Sequence, residues 1–136
     1  MGVSGLHNGL GGPARLSVTG DSIMADPKTI GTGWLNWGSI AWMRRFLGDR
    51  VELPIERVYA VRGATVADGY NNQFASARDD VSNIVIDNSG TNSIGTDVAT
   101  IITRKKTMYN AYRAMGKTVV IIGIRAHRSP SAFTAD

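Results

Sequence analysis

The sequence predicts an α/β fold, a parallel sheet of about four strands with helices on both faces. Three observations carry this. Apolar, β-branched runs recur at 14–19, 57–61, 83–87 and 117–124. Segments with helical periodicity lie between them, and glycines close most of the runs. With 136 residues the chain has room for one domain. Residues 1–13, with Gly2, Gly5, Gly9, Gly11 and Gly12 before Pro13, are expected as a flexible lead-in, and 14–136 as the domain.

The elements follow in order. Ala14–Thr19 alternates and is β-branched, so it reads as a strand turned by Gly20. Residues 34–47 (WLNWGSIAWMRRFL) carry apolar stripes at helical spacing, and Gly48 fits the left-handed position past a helix end. Three tryptophans on that segment, Trp34, Trp37 and Trp42, are expected mainly as core packing, with Trp34 the one placed to line a pocket. Pro54 makes the start of 51–61 an edge or irregular piece, and 57–61 completes a second strand before Gly63. The polar stretch 67–82 predicts a loop with a short helix near 73–79. Residues 83–87 form a buried strand closed by Ser89 and Gly90. Asp97 to Met115 is the clearest helix, capped by Thr96 or Asp97 and ended by Gly116, with Lys105 filling its stripe by an aliphatic stem. Lys117 to Ile124 supplies the fourth strand.

Composition removes several function classes. Hydrophobic residues make up 43% and charged residues 19%, which excludes a disordered chain. There is no cysteine, hence no disulfide, thiolate metal site or cysteine nucleophile. Two isolated histidines, His7 and His127, and no clustered carboxylates give no first shell for a metal, so none is expected. Neither G-x-x-x-x-G-K nor G-x-G-x-x-G is present, and no cofactor is expected. The net charge of +4 comes from scattered basic residues, apart from Arg44-Arg45 and Arg104-Lys105-Lys106, without the interleaved aromatics of a nucleic-acid surface. No apolar run approaches the ~20 residues of a membrane span, and the first residues lack the apolar core of a secretory signal. The compartment does not follow from the sequence.

In a parallel sheet, ligands bind at the carboxyl ends of the strands, beside the loops that follow. Those loops start at Gly20, Arg62, Asn88 and Arg125. In the first, Ser22 follows a strand and a glycine turn, where a nascent helix offers backbone N–H groups to an oxyanion. Two roles are open to it, nucleophile or helix cap. In the second, Gly63 permits close backbone approach and its N–H can face the rim, or it serves as a plain turn glycine. In the third, the Asn92 amide can donate to an oxyanion or form an Asx-turn.

Taken together, Val18-Thr19-Gly20-Asp21-Ser22, Val61-Arg62-Gly63-Ala64-Thr65 and Ile84-Val85-Ile86-Asp87-Asn88-Ser89-Gly90-Thr91-Asn92 resemble three blocks of the SGNH (GDSL-type) hydrolases, in the family's order. The likeness runs over about residues 14–125. It implies a flavodoxin-like three-layer sandwich and ester hydrolysis through an acyl-serine. Ser22 would then be the nucleophile, with the N–H groups of Ser22 and Gly63 and the Asn92 side chain as the oxyanion hole. The implied substrate is a small ester or an acylated carbohydrate, with Trp34, Arg62 and His127 as substrate contacts.

Two departures accompany the resemblance. The family's third block ordinarily ends Gly-x-Asn-Asp, whereas Ser93 follows Asn92 here. The Asp-x-x-His block that holds the family's general base has no counterpart after the fourth strand, so the expected sheet is one strand short. His127 lies just past that strand and is the candidate base, although Arg125 and Arg128 disfavour the imidazolium a base must become. An uncovered sheet edge would favour self-association into a homo-oligomer. The rival expectation is an inactive SGNH-like module with a carbohydrate-binding or structural assembly role.

Overall fold

The computed structural model describes residues 13–25 and 39–123. The lead-in up to residue 12, Trp34, Trp37, His127 and the flanking Arg125 and Arg128 therefore lie outside the described residues. The described strands are β1 (Ala14–Thr19), β2 (Val51–Glu52), β3 (Ile84–Asp87) and β4 (Thr118–Ile121). They form one parallel sheet in the order β2-β1-β3-β4. The helices are α1 (Ser39–Leu47), α2 (Val66–Asp68), α3 (Phe74–Asp79) and α4 (Val98–Ala114). This strand order is that of the flavodoxin-like doubly wound sheets, in which the order of strand addition reverses between β1 and β3.

The register explains the three layers. Leu16 pairs with Ile84 and Val18 with Ile86, so one face of the central strands is aliphatic. It packs with Ile40 and Met43 of α1, and with Met24, Leu53 and Ala60. The alternate residues point the other way, as period two requires. Val85 packs there with Ala77 of α3, Met108 and Tyr112 of α4, Phe74 and Val119. That second face also takes the polar residues of β1, because Ser17 meets Ser82 at 3.0 Å and the Thr19 hydroxyl donates to Asp87 at 3.0 Å.

Four expectations from sequence change on contact with the fold. The second strand is reduced to the pair Val51–Glu52, a helical turn over Ile55–Arg57, and a single bridge from Val58 to Val18. Pro54 cannot donate to a ladder, and the Arg57 guanidinium folds back to pair with Glu52. The helix expected near 73–79 begins seven residues earlier. Thr65 and Asp68 form a reciprocal cap, and a π-helical turn over Gly69–Gln73 joins α2 to α3. Trp42 is not core, being 42% exposed, stacked on Phe46 and overlain by Arg45. Lys105 does more than fill a stripe, as described below. The expected helix over 34–47 is described only from Ser39, and Gly48 takes the left-handed φ of +54°.

Helix α4 is closed at both ends by its own sequence. The Asp97 carboxylate accepts from Thr100 N–H at 2.8 Å. At the other end Gly116, at φ +76°, donates to Arg113 O and Lys117 N–H donates to Tyr112 O, the paired bonds of a glycine-terminated helix. That turn aims Lys117 inward. Its ammonium donates to the Ala77 and Asp80 carbonyls, the Asp80 carboxylate at 2.7 Å and the Ser82 hydroxyl. Burial alone would push the Asp80 carboxyl up, but the Lys117 and Ser82 hydrogen bonds outweigh it and hold it below the usual range. Tyr59, donating to the same carboxylate, is pushed up to about 12 by burial first and then by Asp80.

Replacing one member of this buried pair tests its place in the fold. Lys117→Met should lower unfolding free energy by about 1–3 kcal/mol at neutral pH, since it leaves the part-buried Asp80 carboxylate without its cation. A depressed folded pKa adds stability above the unfolded value and loses it as pH falls through the folded one. The gap between the variant and the wild-type chain should therefore narrow in urea titrations below about pH 4.

Candidate active site

At the end of β1 the backbone turns through Gly20, at φ +137°. A Cβ there would sit 3.3 Å from the backbone and Cβ of Asn88, so both conformation and space call for glycine. The Gly20 peptide is held from two sides by Gln73, whose Oε1 accepts from Gly20 N–H at 2.8 Å and whose Nε2 donates to Gly20 O at 3.0 Å. Asp21 is buried and its Oδ1 accepts from Ile23 N–H at 2.9 Å. Its carbonyl accepts from Met24 and Ala25 N–H, forming a helical turn that begins at Ser22. The cap of this turn is thus Asp21, and Ser22 sits exposed at the rim.

The second loop is anchored to the first, because Val61 N–H donates to Gly20 O at 3.1 Å. Ala64 N–H closes a turn onto Val61 O at 3.1 Å, with Gly63 at φ +78°. Nothing lies within 4 Å of a Cβ built on Gly63, so its backbone conformation alone asks for glycine. Arg62 and Gly63 are both exposed at this turn. The third loop bends at Gly90, φ +139°, and Ser93 N–H returns to Gly90 O. Asn92 Nδ2 donates to Ala64 O at 3.2 Å. A side-chain amide carries two N–H groups, and Ala64 takes one of them. Ser93, in the position where the resembled family carries a carboxylate, is buried and its Oγ accepts from Val66 N–H at 2.8 Å. A hydroxyl therefore supplies the tie between the second and third loops.

A cleft of about 280 Å³ opens beside Gly63, lined by Val61, Arg62, Gly63, Ala64, Asp68, Asn72 and Gln73. Neither Ser22 nor Asn92 lines it. The Asp68 carboxyl is held below its ordinary range by the Thr65 backbone N–H and then by the Thr65 hydroxyl. The cleft thus offers the Arg62 guanidinium, the ionised Asp68 carboxylate and the Asn72 amide within a small volume, with the Gln73 amide turned to Gly20.

Beneath the third loop is a cluster that the sequence did not disclose. Asp87, buried at the end of β3, accepts from Thr19 Oγ1 and Ser89 N–H on one oxygen. On the other it accepts from Ser89 Oγ at 3.1 Å, Lys105 Nζ at 2.8 Å and Tyr109 OH at 2.6 Å. Burial alone would raise this carboxyl. The Lys105 charge and the hydrogen bonds of Lys105, Tyr109 and Ser89 outweigh it and keep the group ionised. Tyr109 is driven well above the phenol range by burial and by Asp87. The sequence shows a Lys-Tyr pair four apart on one helix face and, separately, an apolar strand ending in Asp, with nothing local that joins them. With five donors on two oxygens, Asp87 is committed to holding the loop.

Of the site residues expected from sequence, Ser22, Arg62, Gly63 and Asn92 stand on adjoining loops at one end of the sheet. His127 and Trp34 lie outside the described residues, as does His7, and no histidine falls within them. No helix among the described residues is long and apolar enough to cross a membrane.

Removing the hydroxyl that ties the loops tests how far the site depends on it. Ser93→Ala leaves the Val66 N–H buried without its partner and should cost about 1–3 kcal/mol in urea unfolding. The Val66 amide should also exchange faster with deuterium in the variant than in the wild-type chain.

No protein-family model matches this chain, and no curated protein matches it. Among solved structures it is similar to the crystal structure of TesA, with a TM-score of 0.70 and 24% identity over 88% of this chain. The chain spans 64% of the length of that structure. The likeness is one of fold, and it agrees with the α/β architecture and four-stranded parallel sheet described above.

Proposed function

We propose that this domain is a serine ester hydrolase working through an acyl-Ser22 intermediate, on small esters or acylated carbohydrates. The observation that carries the reading is the stitching of three loops at the β1/β3 switch point. Val61 N–H binds the Gly20 carbonyl, Asn92 binds the Ala64 carbonyl, and Ser93 binds the Val66 N–H. Such sheets take their ligands at that point. The SGNH hydrolase-like fold and the three sequence blocks support the same reading.

In the proposed reaction, Ser22 Oγ attacks the ester carbonyl carbon and loses its proton to a general base. The carbonyl oxygen becomes an oxyanion, which accepts hydrogen bonds from Gly63 N–H, Ser22 N–H and the second Asn92 amide N–H. Collapse expels the alcohol, which takes up the proton, and leaves the acyl group on Ser22. Water then attacks the acyl carbon and gives a proton to the base, and collapse of this second intermediate releases the acid while the base returns the proton to Ser22 Oγ. His127 is the proposed base within this chain. A serine hydroxyl needs such a group, because it is a weak nucleophile at its own pKa. Arg62 in the cleft, and Trp34, would contact substrate. The mixture of Arg62, Asp68 and Asn72 suits the hydroxyl groups of a sugar better than a long acyl chain. One observation favours a second reading, an inactive carbohydrate-binding module: the polar cleft is not lined by Ser22.

A fluorophosphonate probe, with p-nitrophenyl acetate as substrate, separates the two. The hydrolase reading expects labelling and p-nitrophenol release that both vanish in Ser22→Ala. Asn92→Ala should lower kcat by about 10²-fold with KM little changed, the usual effect of losing one oxyanion donor. Folded wild-type protein that neither labels nor hydrolyses, or labelling that persists in Ser22→Ala, would overturn it.

A further inference from the structure

The side chain of Gln73 binds neither a strand nor its own helix. It reaches 53 residues back along the sequence to Gly20, and it engages the backbone N–H and the carbonyl of that residue, in the two peptide groups that flank its Cα, at once. Gln73 is 2% exposed, so these are bonds in a low-dielectric site, where they are strong and where a missing partner is costly. Gly20 is two residues before Ser22, in a backbone conformation that L side chains rarely adopt. The same Gly20 carbonyl accepts from Val61 N–H, two residues before Gly63. One amide side chain therefore fixes the peptide from which both the serine turn and the Gly63 turn are hung.

The helix is built to deliver it. Val66, Gly69, Gln73 and Ala77 are the buried positions of the run from Val66 to Asp79. The π-helical turn over Gly69–Gln73 inserts an extra residue just before Gln73. Gly69 lies against Ser89, where a Cβ would be in ordinary contact with the third loop, so the helix approaches the sheet closely at this point. Gln73 also lines the cleft beside Gly63, which brings the clamp to the wall of the proposed substrate site.

We infer that Gln73 is a positioning residue, which sets the place of the Ser22 hydroxyl relative to the Gly63 N–H by clamping the Gly20 peptide. The inference rests on the ester-hydrolase reading and adds a residue to it. Gln73 touches no reacting atom; it acts through Gly20. Displacement of a reacting group by an ångström costs catalysis about 10²-fold. The loss falls on kcat, since the buried Gln73 amide is engaged with Gly20 rather than turned to the ester.

The test compares wild-type protein with Gln73→Leu and Gln73→Glu, using p-nitrophenyl acetate kinetics and the rate of fluorophosphonate labelling, with thermal melts to count folded molecules. Leucine removes both bonds. Glutamate keeps an acceptor for Gly20 N–H but, when ionised, has no proton for the Gly20 carbonyl. The expected result is a fall in kcat of about 100-fold for leucine and about tenfold for glutamate, at unchanged KM. Should the leucine variant not fold, the glutamate variant carries the test alone. Unchanged kcat per folded molecule, with only the melting temperature lowered, would overturn the role of Gln73 and leave the hydrolase reading standing. Wild-type protein that shows no Ser22-dependent labelling would overturn the hydrolase reading and this role with it.

Discussion

The Asp87 carboxylate joins the central strand of the sheet to everything that surrounds the candidate site. It accepts from β1 through Thr19, from the third loop through both Ser89 donors, and from α4 through Lys105 and Tyr109. A carboxylate buried this deeply is tolerated only when paired and hydrogen-bonded, and here both oxygens are satisfied. Its geometry decides where the chain leaves β3, and therefore where Gly90 and Asn92 stand. The ammonium of Lys105 reaches the same place from eighteen residues further on, so the helix is docked on the loop by charge as well as by Met108 and Tyr112.

From that fixed end, the site is assembled largely by backbone groups. The Gly20 carbonyl, the Ala64 carbonyl and the Val66 N–H each receive or give one bond across loops. Small or amide side chains, Gln73, Asn92 and Ser93, join this lattice, while positive φ accounts for glycine at positions 20, 63 and 90 and crowding against Asn88 adds to it at Gly20. The aliphatic face under α1 and the aromatic face under α4 supply the burial that holds the sheet together. The polar stitching adds little net stability by comparison, but it selects one arrangement of three loops from the many their lengths allow.

Much of this was legible in the sequence. The strands β1, β3 and β4 and the helix α4 announce themselves through apolar runs and helical period, because local pattern and final environment agree there. The second strand misled, since Arg57-Val58-Tyr59-Ala60-Val61 looks like a strand while Pro54 and the Arg57–Glu52 pair bend the chain into a turn. The run Gly69–Gln73 looked like loop because glycine and asparagines mask the Thr65-x-x-Asp68 cap that starts the helix. The glycine and asparagine positions of the candidate site were visible as motifs. The partners that fix them were not, because Gln73–Gly20, Lys105–Asp87 and Ser93–Val66 join positions far apart in sequence, and no local pattern encodes such pairings.

In the proposed mechanism Ser22, Gly63 and Asn92 serve one reacting group. The most direct measurement is a crystal structure of the protein after reaction with a small fluorophosphonate. The expected adduct has phosphorus bonded to Ser22 Oγ, with the phosphoryl oxygen about 2.7–3.1 Å from both Gly63 N and Asn92 Nδ2, the distances of a working oxyanion hole. A phosphonyl group on another residue, or an oxygen on Ser22 that faces solvent away from Gly63 and Asn92, would contradict it.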